Sequence, residues 1–304
     1  MAQPDAPSPI EFAQRAEAAR RRGDRAGAEV ILKAGLKAFP KVSGLHVELG
    51  NLYLDAGDND TARKCFRKAV SCGPRDAGAH AALGTAMLAM HRFDDAVASY
   101  RRAIGFDPSA PAFHYNLGIA LRENGDFDAA IAAYDKALEL SPDHPAIWYN
   151  RANAQAYAGD YDGSIESYDR ARALSPDYPE ADFSKSVSLL LKGDFASGWD
   201  LHERRFAADT FDTPDRKTDI PRWNGEPLDD KTLVVWGEQG IGDEIRFMSV
   251  LGEIAAEAGH MIYDCAPRLV PLVRRTYPIV EVRPSPPKST TIEAVAADYH
   301  CAIG

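Results

Sequence analysis

The stretch best suited to holding a ligand lies late in the chain. Thr232 to Trp236 is a short apolar run rich in β-branched residues, which reads as a buried strand. It leads into Gly237-Glu238-Gln239-Gly240-Ile241-Gly242-Asp243-Glu244, and Ile245 to Ala258 then has helical spacing. Glycines at Gly237, Gly240 and Gly242 let backbone approach a ligand, and the start of a helix favours an anion. The spacing is not the GxGxxG of a dinucleotide fingerprint. Two other sets of residues have metal-binding chemistry. His46, His80 and His114 recur 34 residues apart. Residues one structural repeat apart stand about 8–10 Å from each other, whereas ligands of one zinc sit about 2 Å from it. The histidines are therefore expected to pack or hydrogen-bond, not to share an ion. Cys65, Cys72, Cys265 and Cys301 form no CxxC pair and no secreted framework, so reduced, mostly buried thiols in a cytoplasmic protein are expected, and no metal site.

The elements that position these residues follow from a repeat. Pro40, Pro74, Pro108, Pro142 and Pro176 are each 34 residues apart, the signature of a repeat architecture. Units run over about 9–42, 43–76, 77–110, 111–144, 145–178 and 179–212. Each carries a small residue in its first half (Gly50, Gly84 and Gly118 in three of them), a second small residue twelve positions later (Ala62, Ala96, Ala130) and, four further on, a large one (Phe66, Tyr100, Tyr134). A Gly-Asp pair separates the halves, except in the third unit, which has His91-Arg92. This is the pattern of a helical hairpin. The Gly-Asp pair ends one helix and starts the next, and the proline closes the second. Glycine within a helix costs about 0.5–1 kcal/mol against alanine, so its use implies close approach of the two helices, opposite the alanines.

The run Leu117-Gly118…Ala130…Tyr134…Ala137…Pro142, its counterpart from Leu83 to Pro108, and Trp148 in the next unit resemble the tetratricopeptide repeat. The resemblance implies a mainly α fold: a helical solenoid whose first helices line a concave, protein-binding face. Side chains aimed there would include Asn51, Asn116, Asn150 and Asn153 with Tyr115, Tyr149 and Tyr157. Amides offer both a donor and an acceptor to an extended peptide. The O-linked N-acetylglucosamine transferases of animals look similar in this respect, with an asparagine ladder that grips acceptor polypeptide. Gln14, Glu48, Ala82 and Ser184 interrupt the ladder here. Ordinary polar residues on a solvated groove are the alternative reading.

After the repeats the periodicity changes. Residues 213–230 read as a linker that packs, because Trp223 favours burial. From 231 to 304, strands are expected at Thr232–Trp236, Met261–Cys265, Ile279–Val282 and Tyr299–Ile303, with helices at Ile245–Ala258 and Pro267–Tyr277. Strand, glycine-rich turn, helix and strand make a βαβ unit, hence a parallel sheet and a partial α/β, Rossmann-like domain. Gly193-Asp194-Phe195, Gly198-Trp199, Glu203-Arg204-Arg205, Pro221 to Glu226 and Trp236 to Glu244 together resemble the junction of bacterial repeat-plus-glycosyltransferase proteins, whose C-terminal part is heptosyltransferase-like with two Rossmann-type halves. The resemblance implies sugar transfer to a protein or glycan acceptor from a nucleotide-activated sugar. It places a proposed base on Asp243, with capping of a helix by Asp243 as the competing role and Glu238 and Glu244 as rivals. A donor-binding second half is missing from the 74 residues after Asp230. As written, the chain is expected to bind no cofactor by itself and not to catalyse transfer. Recruitment of an acceptor polypeptide for such a transferase is one reading; a non-catalytic interaction scaffold is the other.

The bulk numbers constrain both. The 304 residues carry a formal charge of −10, which argues against nucleic acid as the main partner. No stretch is long and apolar enough to span a membrane. Residues 1–8, rich in Pro and Ala, read as a loose, disordered leader without the basic start or apolar core of a signal peptide.

Overall fold

Six antiparallel helical hairpins form the first of two units in the computed structural model, which describes residues 7–208, 216–238, 240–285, 291–292 and 295–303. The hairpins pair α1 (Pro9–Arg21) with α2 (Arg25–Ala38), α3 (Ser43–Leu54) with α4 (Asn59–Cys72), and α5 (Ala77–Ala89) with α6 (Phe93–Phe106). They continue with α7 (Pro111–Glu123) and α8 (Phe127–Leu140), α9 (Pro145–Tyr157) and α10 (Tyr161–Leu174), and α11 (Pro179–Lys192) with a shorter α12 (Phe195–His202). Each hairpin also touches the next, so the apolar core runs along the stack. The division between the units falls after His202.

The turn residues act as the repeat implies. Gly23, Gly57, Gly125, Gly159 and Gly193 have φ between +75° and +92°, a region L side chains avoid. The aspartate after each accepts a hydrogen bond from the backbone N–H three residues on, as Asp58 does from Thr61 at 3.1 Å. In the third hairpin His91 takes the same conformation, at φ +55°, and Arg92 provides no side-chain cap. The second helices of the first five hairpins end two residues before Pro40, Pro74, Pro108, Pro142 and Pro176. His46, His80 and His114 each place Nε2 3.0 Å from the carbonyl oxygen of Pro40, Pro74 and Pro108. Trp148 Nε1 donates to Pro142 O at 2.9 Å in the next unit. The histidine row thus ties three repeat junctions to the helices that follow, and Trp148 ties a fourth.

The glycines need one correction. Their nearest neighbours are not the alanines opposite but the rings four residues further on. A Cβ on Gly118 would lie 2.5 Å from Tyr134 Cε1, one on Gly50 2.4 Å from Phe66, and one on Gly84 2.9 Å from Tyr100. In these three hairpins the ring packs against the bare backbone that glycine leaves open, whereas in the fifth Ala152 shares a core cluster with Tyr168.

The second unit contains a four-stranded, all-parallel sheet in the order β3-β2-β1-β4. Its strands are β1 (Thr232–Gly237), β2 (His260–Cys265), β3 (Glu281–Pro284) and β4 (Tyr299–Ile303). Between β1 and β2 lie α13 (Ile241–Phe247), a 3₁₀ turn (Met248–Val250) and α14 (Leu251–Glu257); α15 (Val270–Thr276) precedes β3. Leu233, Val235, Met261, Tyr263 and Val273 form its core. Three expectations shift. The helix placed at 245–258 begins at Ile241 and is broken at Met248, whose carbonyl accepts the Tyr277 hydroxyl at 2.7 Å. The strand placed at 279–282 is β3, two residues later, since Ile279 is 65% exposed and Val280 is buried ahead of it. The helix placed at 267–277 is the shorter α15. In the segment read as a packing linker, Trp223 is half-buried and its Nε1 donates to Glu226 O at 2.8 Å, while Arg222 bridges to His300 of β4. Positions 213–215 of that segment, 1–6 of the leader and Gln239 lie outside the described residues.

Candidate functional site

The first unit has an open pocket of about 210 Å³ in its last two hairpins. Asn153, Ala156 and Tyr157 of α9 form one wall, and Phe183, Ser184, Val187, Ser188 and Leu191 of α11 the other; Tyr168 of α10 contributes from below. Tyr157, Val187 and Leu191 are 70%, 38% and 60% exposed, a large apolar exposure for neighbouring side chains on a protein surface. Tyr168 is buried and donates its hydroxyl to Asn153 Oδ1 at 2.6 Å. That bond fixes the Asn153 amide with its Nδ2 side unpaired among the described residues. Burial pushes the Tyr168 phenol above its ordinary range, so it stays a neutral donor at any physiological pH.

The other residues of the expected inner face are distributed unevenly. Asn150 is committed within the fold: its Oδ1 accepts from Arg122 at 2.8 Å, and its Nδ2 donates to Tyr115 Oη at 3.1 Å and Ala146 O at 2.9 Å. Little of its amide is left for a peptide backbone. Tyr115 also packs against Tyr134 and His144, and burial raises its pKa. Tyr149 lies among Tyr168, Tyr178 and Ser184. Tyr157 stacks on Phe127 with ring centroids 5.5 Å apart. Asn51 on α3 and Asn116 on α7 are half-buried, with no side-chain hydrogen bond among the described residues. The structure therefore brings Asn153 and Tyr157 to the pocket, joins Tyr115 to Asn150, and leaves Asn51 and Asn116 apart from them. Sequence reasoning missed Phe183, Val187 and Leu191. Their signal was present as a stripe at every fourth residue, which in a helix falls on one face.

In the second unit, Gly237 serves the fold: a Cβ there would meet Glu244 Cδ at 2.6 Å. Gly240 is the N-cap of α13 and, like Gly242, faces open space. Asp243 sits at the third position of that helix, half-buried, and makes no capping hydrogen bond, so the capping role considered above is not the one it has. The buried acids are its neighbours. Glu244 is 5% exposed; its Oε2 accepts from the Ala266 N–H at 3.0 Å and from the Tyr263 hydroxyl at 3.4 Å. Burial raises its pKa against the pull of those donors. Glu238 forms a forked pair with Arg205, Nε donating at 2.9 Å and Nη2 to the other oxygen. Asp264 is held between Arg216 at 3.3 Å and Arg283 at 2.8 Å. Among the described residues no group of histidine, cysteine and carboxylate side chains could hold a metal, and no helix is long and apolar enough to cross a membrane.

Stacked helical hairpins with this turn chemistry define a repeat solenoid. Family models of the tetratricopeptide repeat match residues 19–86, 81–145 and 121–182, which together cover more than half of the chain. The chain belongs to the tetratricopeptide-repeat proteins. Protein FlbA of Caulobacter vibrioides is 38% identical over 88 residues, a stretch that is 28% of this chain and 15% of that protein. The chain thus matches a small part of that relative's length. PilW, described as a widely conserved type IV pilus biogenesis factor, superposes with a TM-score of 0.61 over 66% of this chain and 92% of its own at 20% identity. YrrB, described as a repeat protein with an unusual peptide-binding site, superposes at 0.50 over 59% and 92%, at 21% identity. At such identities these two structures share the fold. The matched repeats end at residue 182, so the transferase resemblance of the second unit rests on its sequence motifs alone.

Proposed function

We propose that this protein is a non-catalytic interaction module that takes an extended segment of a partner protein into the pocket formed by α9 and α11. The observation that carries this reading is the exposed apolar set Tyr157, Val187 and Leu191 around an open cavity, with the Asn153 amide oriented beside it by Tyr168. An apolar partner side chain fills the cavity, and Asn153 Nδ2 donates to a backbone carbonyl of the same segment. Full burial of a leucine-sized side chain stabilises such a complex by about 1.5–3 kcal/mol. The remaining affinity comes from backbone contacts along the repeats, to which Asn51 and Asn116 contribute their unpaired amides.

Binding is tested with a peptide array in which one leucine, phenylalanine or charged residue is varied at each position, read against the parent protein and a Leu191→Asp variant. Selection for an apolar anchor that Leu191→Asp abolishes, at unchanged thermal midpoint, supports the pocket. An array whose preferences survive Leu191→Asp refutes it. Recruitment of an acceptor for a sugar-transferring domain is the finer reading. The parallel sheet with its glycine-bearing turn after β1 supports it, and in that reading Asp243 is the proposed base and the second unit is half of a Rossmann-like transferase. Sugar-nucleotide-dependent labelling of a bound acceptor by a longer form of the chain, lost in Asp243→Asn, tests that step.

A further inference from the structure

A second cleft lies elsewhere on the solenoid, among α4, α5 and α6. Four arginines line it, Arg63 and Arg67 from α4 and Arg92 and Arg102 from α6, with Leu83 and Met87 of α5 as an apolar part of its lining and a volume of about 260 Å³. One carboxylate faces them, Asp95, and it is paired with Arg92. Arg63 is held by Asp60 at 3.2 Å through one terminal nitrogen, and its Nε is buried without a hydrogen-bond partner. Arg67 and Arg102 are exposed and have no hydrogen bond or ion pair among the described residues. Arg67 and Arg102, which line the same cleft without a counter-charge of their own, repel one another. In a chain whose formal charge is −10, such a cluster is a local reversal of sign.

We infer that this cleft binds an acidic segment of a partner protein: carboxylates pair with Arg63, Arg67 and Arg102, and an apolar residue of the same segment covers Leu83, which is half-buried beside the buried Met87. The planar guanidinium fork matches a carboxylate through two parallel hydrogen bonds. The apolar lining calls for a side chain between the acids, which a bare polyanion lacks. The net negative charge of the chain also disfavours a long polyanion, whose charge extends beyond the cleft. The site shares no residue with the α9–α11 pocket and does not rest on the reading of that pocket.

The test uses the full chain and fluorescein-labelled peptides that alternate glutamate with leucine, glutamate with serine, or lysine with leucine. Anisotropy titrations are expected to show saturable binding of the glutamate–leucine peptide, weaker binding of the glutamate–serine one and none of the lysine–leucine one. The charge reversal Arg67→Glu with Arg102→Glu is expected to weaken binding by about tenfold or more, equivalent to about 1.4 kcal/mol. Raising salt from about 0.1 M, where the screening length is about 10 Å, to about 1 M is expected to weaken it as well. Both substituted residues are exposed, so the circular-dichroism midpoint should not move, and Leu191→Asp should leave this peptide's affinity unchanged. Equal binding of the lysine peptide, or affinity that survives the double reversal, overturns the inference. So does loss through Leu191→Asp, which assigns the peptide to the other pocket. Preference for a short single-stranded oligonucleotide over the glutamate–leucine peptide overturns the choice of partner.

Discussion

Replacing Gly118 by alanine sets two effects of opposite sign against each other. In an open helix the change stabilises by about 0.5–1 kcal/mol, because glycine loses more backbone freedom on folding. Here the new Cβ would stand 2.5, 2.7 and 2.8 Å from Cε1, Cδ1 and Cζ of Tyr134, distances at which something must shift. Tyr134 is fully buried and backed by the Tyr115 ring, with centroids 6.1 Å apart, so it has no open space to swing into. Overpacking of a well-filled core costs about 1–3 kcal/mol. The packing term outweighs the propensity term, and Gly118→Ala is expected to destabilise by about 1–2 kcal/mol, or a few degrees of thermal midpoint for a unit of this size. Gly84→Ala should be milder, since its closest approach to Tyr100 is 2.9 Å. Urea unfolding followed by circular dichroism measures both. A smaller residue at the ring position supplies the cross-check: in the Tyr134→Leu background the alanine should cost less, a coupling that a double-mutant cycle isolates. A Gly118→Ala protein more stable than the parent would refute the argument, because it would mean that the ring and the glycine are not in contact.

Two other perturbations follow from single residues. His91→Gly is expected to stabilise the third hairpin by about 0.5–1 kcal/mol, since a left-handed L residue costs about 1–2 kcal/mol and the extra freedom of unfolded glycine returns only part of that; a lowered thermal midpoint would contradict the strain assigned to φ +55°. Glu244 has its pKa raised above 4.5 by burial, so its folded form favours the proton: its contribution is fully present below pH 4.5 and is lost as pH rises through the folded value. Glu244→Gln should remove that loss, raising stability relative to the parent at neutral pH and leaving little difference at pH 4; denaturant midpoints at the two pH values decide it, and an equal effect at both would show that the carboxyl does not titrate differently on folding.

Most of the first unit was determined by sequence-local chemistry. A proline every 34 residues, a glycine that accepts positive φ and an aspartate that caps the next helix act over a few residues each, so hairpin boundaries followed from reading them in order. The bond from His46, His80 and His114 to the proline carbonyls six residues earlier is also local, and the arithmetic of spacing sufficed to exclude a shared metal. Other features depended on which side chains meet from distant positions. The sequence offered Asn150 and Asn153 as equals, yet Arg122 and Tyr115 from another hairpin occupy most of the first, whereas one tyrosine orients the second and leaves a donor open. Phe183, Val187 and Leu191 read as one more apolar stripe along a helix, and packing leaves two of them exposed beside Tyr157. The arginines of α4 and α6 are scattered through ordinary amphipathic helices and become a cluster only when the hairpins stack. In the second unit, the glycine-rich turn pointed to Gly237 as a ligand contact, but the side chain that needs that bare backbone is Glu244, seven residues on in the following helix. Periodicity and turn chemistry are written along the chain, and so the sequence determines them; which polar groups are spent within the fold and which remain for a partner is settled by contacts between hairpins, and only the tertiary structure decides it.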